Sequence, residues 1–256
     1  MILAVYHSKG GVGKTAGAVN LAWLAAEDGY RTLLVDLDPQ GATSYYLRIK
    51  PRFKPGVKGL IGKGDDLVDH VKASNYRLLD VLPADPSFRH FDIRAEEKKK
   101  SARRLEKGLG DLAAQYDYVI LDCPPSLSTL SENVFAFADH LLIPTVPTTL
   151  SLRSLAQVLK LLRTSGRSDA SVMVYLSMVD RRKAMHRRLG DDLRELLAAR
   201  GLGRMLEPAI PYSSDVEKMG VHREPVGVSA PSSVAARAFG ELWGAVKSTI
   251  NGEDRK

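Results

Sequence analysis

The chain has 256 residues, of which 44% are hydrophobic and 26% charged, and its net charge is +7. These fractions are typical of one soluble globular domain. A membrane-spanning protein is excluded because no apolar run approaches the roughly 18–20 residues of a span. Cys123 is the single cysteine, which excludes intrachain disulfides and favours a cytoplasmic location. The excess of positive charge favours a polyanion such as nucleic acid, but it is also common in proteins that are basic for solubility.

Short apolar runs alternate with amphipathic stretches along nearly the whole chain. Runs of strand length cover residues 2–6, 32–37, 78–82, 118–121, 140–146 and 172–178. Helical stretches cover residues 16–27, 101–115, 130–138, 152–164, 184–200 and 232–250, and we expect the last to be a docked C-terminal helix. Apolar strands separated by helices predict an α/β fold with a mostly parallel sheet flanked by helices on both faces. Ligands of such folds bind at the carboxyl ends of the strands.

A glycine-rich loop follows the first predicted strand, with the sequence Ser-Lys-Gly-Gly-Val-Gly-Lys-Thr at residues 8–15. Glycines let the backbone curl and point its N–H groups at phosphate oxygens, and the next helix adds the positive end of its dipole. In such a loop Lys14 reaches the β- and γ-phosphates, and the Thr15 hydroxyl ligates Mg²⁺. The standard motif has glycine where Ser8 stands, and this chain instead carries Lys9 as a second cation. The sequence therefore predicts a nucleoside triphosphate site rather than an ordinary glycine-rich turn.

Carboxylates follow two further predicted strands. Asp36 and Asp38 come at the end of the second run, on the same side of an extended segment, and Asp122 closes the fourth. A carboxylate beside a phosphate loop orients an attacking water or assists Mg²⁺, and the position of Asp122 is the Walker B arrangement. Turn-forming aspartates before Pro-Gln-Gly are the alternative interpretation of the first pair.

Together these segments resemble the ParA/MinD family of deviant Walker A ATPases, and most closely its small ParA-type, Soj-like members. The resemblance rests on residues 8–15, 36–40 and 121–125, and it extends to residues 82–84, 144–149, 177–180 and 210–211. It implies a P-loop NTPase fold over residues 1–256, no N-terminal helix-turn-helix domain, and ATP and Mg²⁺ as cofactors.

The resemblance also implies roles for individual residues. Lys9 matches the signature lysine that reaches across a dimer to the partner's nucleotide, and Asp38 matches the aspartate that positions the hydrolytic water. With Lys14 they form the catalytic set. The implied metal residues are Thr15, Asp36 and Asp122. The implied nucleotide contacts are Lys9, Gly10, Gly11, Val12, Gly13, Lys14, Thr15 and Ala16, with Met178 and Pro211 in the adenine pocket.

The function implied by the resemblance is an ATP-dependent switch. ATP closes a homodimer, the dimer binds DNA of the nucleoid without sequence preference, and slow hydrolysis releases it. A ParB-like or other adaptor stimulates hydrolysis, and the cargo is a plasmid, a chromosome or a protein assembly such as a carboxysome.

The basic residues cluster after the sixth predicted strand and in the C-terminal third of the chain. Sequence-neutral DNA binding needs Lys and Arg side chains that reach phosphates. Family members often place an arginine just after Ile-Pro, whereas this chain has Tyr212 after Ile210 and Pro211. A solvated basic face is the alternative. The DNA-binding candidates are Arg187, Arg188, Arg204, Lys218 and Arg223.

Two other functions stay open. A MinD-like membrane switch needs a terminal amphipathic basic helix, whereas residues 251–256 are hydrophilic and mixed in charge. A metabolic P-loop enzyme such as an amide-forming synthetase needs a substrate pocket, which the sequence neither reveals nor rules out. An iron–sulfur reductase is disfavoured because Cys123 stands alone.

Overall fold

The computed structural model describes residues 1–62, 67–96, 103–164, 171–201 and 203–253. Within these residues eight strands form one sheet: β1 (Ile2–Val5), β2 (Thr32–Asp36), β3 (Lys72–Ala73), β4 (Leu79–Leu82), β5 (Tyr118–Asp122), β6 (His140–Thr145), β7 (Ser171–Leu176) and β8 (Arg204–Met205). The strand order is β3-β4-β2-β5-β1-β6-β7-β8. β3 runs antiparallel to β4, and the other neighbouring pairs are parallel.

Helices connect the strands and continue after the last of them. They are α1 (Lys14–Glu27), α2 (Ala42–Tyr46), α3 (Gly56–Leu60), α4 (Phe91–Glu96), α5 (Arg104–Ala113), α6 (Thr129–Phe137), α7 (Thr149–Thr164), α8 (Ala184–Arg200), α9 (Ser214–Glu217), α10 (Met219–His222), α11 (Val226–Ser229) and α12 (Val234–Glu253). None of these described helices combines the length and the apolar character that a membrane crossing requires.

The central strands are buried on both faces, and their side chains divide between two cores. On β1, Leu3 and Val5 join a core with α1 and α12, whereas Ala4 joins a second core on the opposite face. The second core contains buried residues of α5, α6, α7 and α8. Alternate side chains of a strand point to opposite faces, so helices cover the sheet on both sides.

The last helix is attached to the first by apolar packing and by a shared carboxylate. Trp243 Nε1 donates a 2.7 Å hydrogen bond to Asp28 Oδ2, and Lys247 Nζ donates to the same oxygen. This contact holds α12 along α1, the helix that follows the phosphate-loop sequence.

The predicted fold class is confirmed, with differences at its margins. The six predicted strands are present within one or two residues at either end, and a strand missed by the sequence lies at each edge of the sheet. Each missed strand is only two residues long and has no apolar periodicity. The predicted helix over residues 101–115 is seen from Arg104 to Ala113, and its first two predicted residues lie outside the described residues.

Candidate nucleotide site

The loop between β1 and α1 has the backbone that a phosphate cradle needs. Gly13 precedes α1 in the left-handed region at φ 91°, and a Cβ built there would lie 2.7 Å from Ser177 Oγ. Both the backbone angle and the close approach require glycine. The N–H groups of the first turn of α1 have no partner within the helix, and the helix dipole is positive there. The loop is therefore arranged to bind an anion.

The two lysines of the loop lie in different environments. Lys14 is buried, and its Nζ donates a 3.0 Å hydrogen bond to Lys9 O. Burial lowers the pKa of Lys14, and the nearby Asp122 carboxylate opposes this change. The Lys9 side chain is half-buried and has no ion pair or hydrogen bond within the described parts of the chain. Lys14 belongs to the loop, and Lys9 is available to a group outside it.

Asp36 and Asp122 face each other on neighbouring strands. They are register partners at the ends of β2 and β5, and both are fully buried. Asp36 Oδ2 accepts hydrogen bonds from Ser44 N at 2.8 Å and from Ser44 Oγ at 2.7 Å. Asp122 Oδ2 accepts one from Thr43 Oγ1 at 2.7 Å. The Oδ1 atom of each carboxylate is buried and has no hydrogen-bond partner among the described residues.

Burial raises the pKa of both carboxyl groups above their ordinary range. For Asp36 the negative charge of Asp122 is the next largest cause, and the hydrogen bonds from Ser44 oppose the rise. For Asp122 the hydroxyls of Thr43 and Thr15 oppose the rise. Two buried carboxylates side by side are costly in free energy unless a cation lies between or beside them.

The residues present fit a magnesium ion bound with a nucleotide. Mg²⁺ prefers oxygen ligands, keeps several waters, and is usually held by one or two carboxylates together with phosphate oxygens. The two unpartnered Oδ1 atoms and the neighbouring Thr15 hydroxyl supply oxygens of this kind beside the phosphate loop.

Asp38 lies next to this cluster, in the loop after β2. It is half-buried, and its Oδ1 accepts a 3.0 Å hydrogen bond from Gln40 N. Its negative charge raises the pKa of both Lys14 and Asp122, which places it close to these groups. A carboxylate that is near the phosphate loop and open to solvent can accept a hydrogen bond from a water and hold it in position.

A small cavity of about 50 Å³ lies beside the start of α1. Four residues predicted from the sequence line it, namely Gly13, Ala16, Met178 and Pro211. A β-bridge between Val179 and Pro211 joins the loop after β7 to the segment before α9. The other walls of the cavity include Tyr175, Ile210, Tyr212 and Phe239. The structure thus brings the predicted adenine-pocket residues together, next to the phosphate loop.

Three residues of the cluster were missed by the sequence analysis. Thr43 and Ser44 hold the two buried carboxylates, and the polar pair after Gly41 is a signal that could have been noticed. His7 is buried, and its Nδ1 accepts a 3.0 Å hydrogen bond from Lys9 N. Burial and the charges of Lys14 and Lys9 lower the pKa of His7 to about 4, so its ring is neutral at pH 7. No motif marks this histidine.

The predicted DNA-binding residues fall into two groups. Arg187 and Arg188 lie on α8, and Arg204 lies on the edge strand β8 against which α8 packs. Arg187 donates to Arg181 O, and Arg188 is 4.0 Å from Asp192 in a pair exposed enough to be weak.

Lys218 and Arg223 lie elsewhere, in the segment that packs against α2. Lys218 is 3.7 Å from Asp215, and the Arg223 guanidinium lies 4.4 Å from the Tyr45 ring centroid. Arg223 also donates to Tyr45 O. Arg223 is therefore engaged within the protein. Lys218, like Arg188, is held only by an exposed pair and is open to a partner.

Comparison with known proteins supports the assignment of the loop between β1 and α1 as a nucleotide site. A family model described as an AAA domain (AAA_31) matches residues 1–171. The chain is 30% identical over 246 residues to the sporulation initiation inhibitor protein Soj of Bacillus subtilis, an alignment covering 94% of this chain and 96% of Soj. It is 38% identical over 161 residues to the chromosome partitioning protein ParA of Myxococcus xanthus, covering 61% of this chain and 56% of that protein.

Solved structures with the same fold include two nucleotide complexes. Cobyrinic acid a,c-diamide synthase from Mycobacterium smegmatis, with bound ADP and magnesium, gives a TM-score of 0.82 at 25% identity and covers 98% of this chain and 95% of its own. The McdA–ATP complex from Cyanothece gives a TM-score of 0.82 at 20% identity, with 96% of each chain covered.

Proposed function

Because the chain belongs to the ParA/MinD family of deviant Walker A ATPases, we propose that it is an ATP-dependent switch that dimerises, binds DNA and positions a cargo. The observation that carries the proposal is the different state of the two loop lysines. Lys14 is buried in the loop and hydrogen-bonded to it, whereas the Lys9 side chain has no partner within the described residues. A cation held at the rim of a phosphate loop without a partner of its own suits contact with a nucleotide bound by a second copy.

Within one copy, the loop and α1 would hold the phosphates. The backbone N–H groups of residues 10–15 and the Lys14 ammonium neutralise them, and the adenine would lie against Met178 and Pro211. Thr15, Asp36 and Asp122 would hold the Mg²⁺, which when bound draws negative charge off the phosphate oxygens.

Hydrolysis would depend on the meeting of two copies. Asp38 accepts a hydrogen bond from the attacking water and so orients it, and Lys9 of the second copy stabilises the charge that develops in the transition state. The orientation of the attacking water requires no general base other than Asp38 from the same chain. Turnover is then slow until dimers form, and a ParB-like or other adaptor stimulates it by fixing the productive geometry.

The DNA-bound state would use the arginines near β8. Lys and Arg side chains bind phosphates without reading sequence. Arg187 and Arg188 are exposed near the start of α8, and Arg204 is exposed on the neighbouring strand β8. The net charge of +7 agrees with a polyanionic partner. A dimer held on the nucleoid by ATP and released by hydrolysis could move a plasmid, a chromosome or a protein assembly.

We predict that Arg187→Glu/Arg188→Glu abolishes ATP-dependent DNA retention and leaves ATP affinity unchanged. The reversal removes two cations and adds two anions at the surface facing the phosphates. Retention on duplex DNA is measured with ATP, with ADP and without nucleotide at two salt concentrations. The matched control is Lys107→Glu/Lys160→Glu, which makes the same charge change on α5 and α7. Undiminished retention by the first variant would move the DNA surface elsewhere.

An amide-forming synthetase is the second candidate, favoured by the similarity to cobyrinic acid a,c-diamide synthase. Such an enzyme would hydrolyse ATP in step with added carboxylic acid and ammonia donor, and it would not retain DNA in any nucleotide state. The same retention assay, run beside an ATPase assay with these substrates, separates the two candidates.

A further inference from the structure

A second concentration of positive charge lies at the β3 edge of the sheet, away from β8. It surrounds a cavity of about 470 Å³ between the segment that follows α2 and strand β3. The cationic row consists of Lys50, Arg52, Lys54 and Lys72, all of which line this cavity. Among the described lining residues Asp69 is the single carboxylate, so four positive charges face one negative charge there.

Buried neighbours fix the segment that carries the row. Phe53 is 1% exposed, and its ring centroid lies 5.8 Å from that of Phe88 and 5.5 Å from that of His70. Pro51 packs against Gly41, where an added Cβ would lie only 2.7 Å from the proline Cβ. Because Pro51 and Phe53 hold the backbone against the protein, the cations between and beside them are presented to solvent from a fixed support.

The four side chains of the cationic row have no ion-pair partner among the described residues. Arg31, Arg182 and Arg194, by contrast, are each paired with a carboxylate. Like charges around one cavity repel each other, and an anionic partner removes this repulsion. The surface is therefore suited to a polyanion.

Its position and chemistry favour the phosphate backbone of duplex DNA. Arg48, two residues before the row, donates a 2.8 Å hydrogen bond to His222 O and so joins the row to the segment carrying Arg223. The aromatic ring between Arg52 and Lys54, that of Phe53, is buried and cannot stack on the unpaired bases of a single strand. Cations without exposed aromatic side chains contact phosphates and do not read sequence.

We propose that the cationic row is a second phosphate-contacting surface for duplex DNA, at the opposite edge of the sheet from the arginines near β8. The inference rests on the proposed DNA-binding function and extends it to residues that lie outside the predicted set. Each phosphate contact contributes about 0.9 to the slope of log K against log salt concentration. The row therefore adds to the salt dependence of DNA binding as well as to its affinity.

The test is the variant Lys50→Gln/Arg52→Gln/Lys54→Gln, assayed as full-length protein with ATP on duplex DNA across a salt series. We expect affinity to fall by roughly 100-fold or more near 0.1 M salt and the salt slope to fall by about two to three. The matched control is Lys107→Gln/Lys160→Gln/Arg237→Gln, which removes the same charge from exposed positions on α5, α7 and α12. ATP affinity and melting temperature of both variants should stay at the wild-type values.

The outcomes separate this inference from the proposed function. If the wild type retains DNA and the row variant keeps the affinity and salt slope of the control, the inference is overturned and the proposed function stands. If the two triple variants lose affinity equally, the effect is one of net charge and the inference is again overturned. If the wild type retains no DNA in any nucleotide state, the proposed function fails and the inference fails with it.

Discussion

Lys14→Ala is expected to abolish ATP binding, whereas Lys9→Ala should retain ATP binding and lose ATP-dependent dimerisation. Lys14 is buried in the loop, and in the proposed site its ammonium group would neutralise the phosphates. Hydrogen bonds to charged groups are worth about 1.5–3 kcal/mol each, so losing two of them, to the β- and γ-phosphates, weakens binding by roughly 100-fold or more. The Lys9 side chain makes no hydrogen bond or ion pair with the described residues of its own chain.

Sedimentation velocity with a slowly hydrolysed ATP analogue measures dimerisation, and a fluorescent nucleotide measures affinity. Lys160→Ala, on the exposed side of α7, controls for the loss of one surface lysine. A trans-acting cation of this kind is worth roughly 10³–10⁵ in rate, so Lys9→Ala should also lose adaptor-stimulated turnover. If Lys9→Ala dimerised as the wild type does, the role of Lys9 across the dimer would be wrong.

The sequence predicted the parts of the site that follow from local motifs and from sheet topology. The loop at residues 8–15 is recognisable by its glycines and lysines, and Asp36 and Asp122 could be brought together because parallel strands end at one edge. Their register pairing on β2 and β5 agrees with that expectation. The topology could not predict that Asp36 accepts hydrogen bonds from Ser44 and that Asp122 accepts one from Thr43.

Other parts of the molecule depend on contacts between residues distant in the chain. The His7 side chain is buried and bonded to Lys9 N, which no local pattern reveals. Arg223 is 178 residues from Tyr45, the residue to whose carbonyl it donates, so its engagement could not be inferred from a cluster of basic residues. β3 and β8 are strands because a neighbour pairs with them, and two residues cannot show a periodicity.

Asp36→Asn is expected to stabilise the nucleotide-free protein and to remove most of the stabilisation that Mg²⁺ and nucleotide confer. Asp36 and Asp122 are fully buried partners in adjacent strands, and each holds an oxygen without a hydrogen bond to the described residues. An asparagine oxygen can still accept from Ser44, while the charge that is costly to bury is gone. Neutralising a buried charge of this kind is worth a few kcal/mol, or a rise in melting temperature of roughly 5 °C.

The pH dependence has a definite sign. Because the pKa of Asp36 is raised in the folded protein, the folded state binds the proton more tightly than the unfolded state does. The stability that this carboxyl contributes is fully present below its ordinary pKa and is lost as the pH rises through the raised value. The wild type without nucleotide should therefore lose stability relative to Asp36→Asn as the pH rises from the ordinary carboxyl range towards neutrality.

Melting temperatures measured across this pH range, with and without Mg²⁺ and ADP, test both halves of the prediction. Asp38→Asn is the control, because it removes a carboxylate charge beside the same pair from a half-buried position, where the charge costs less than in the buried pair. That variant should keep the melting temperature of the wild type and its response to Mg²⁺, and lose turnover. If Asp36→Asn melted lower without nucleotide and still responded fully to Mg²⁺, the carboxylate would be a structural hydrogen-bond acceptor. A site that gains stability when its charge is removed, and loses its response to the metal, holds that charge for the metal.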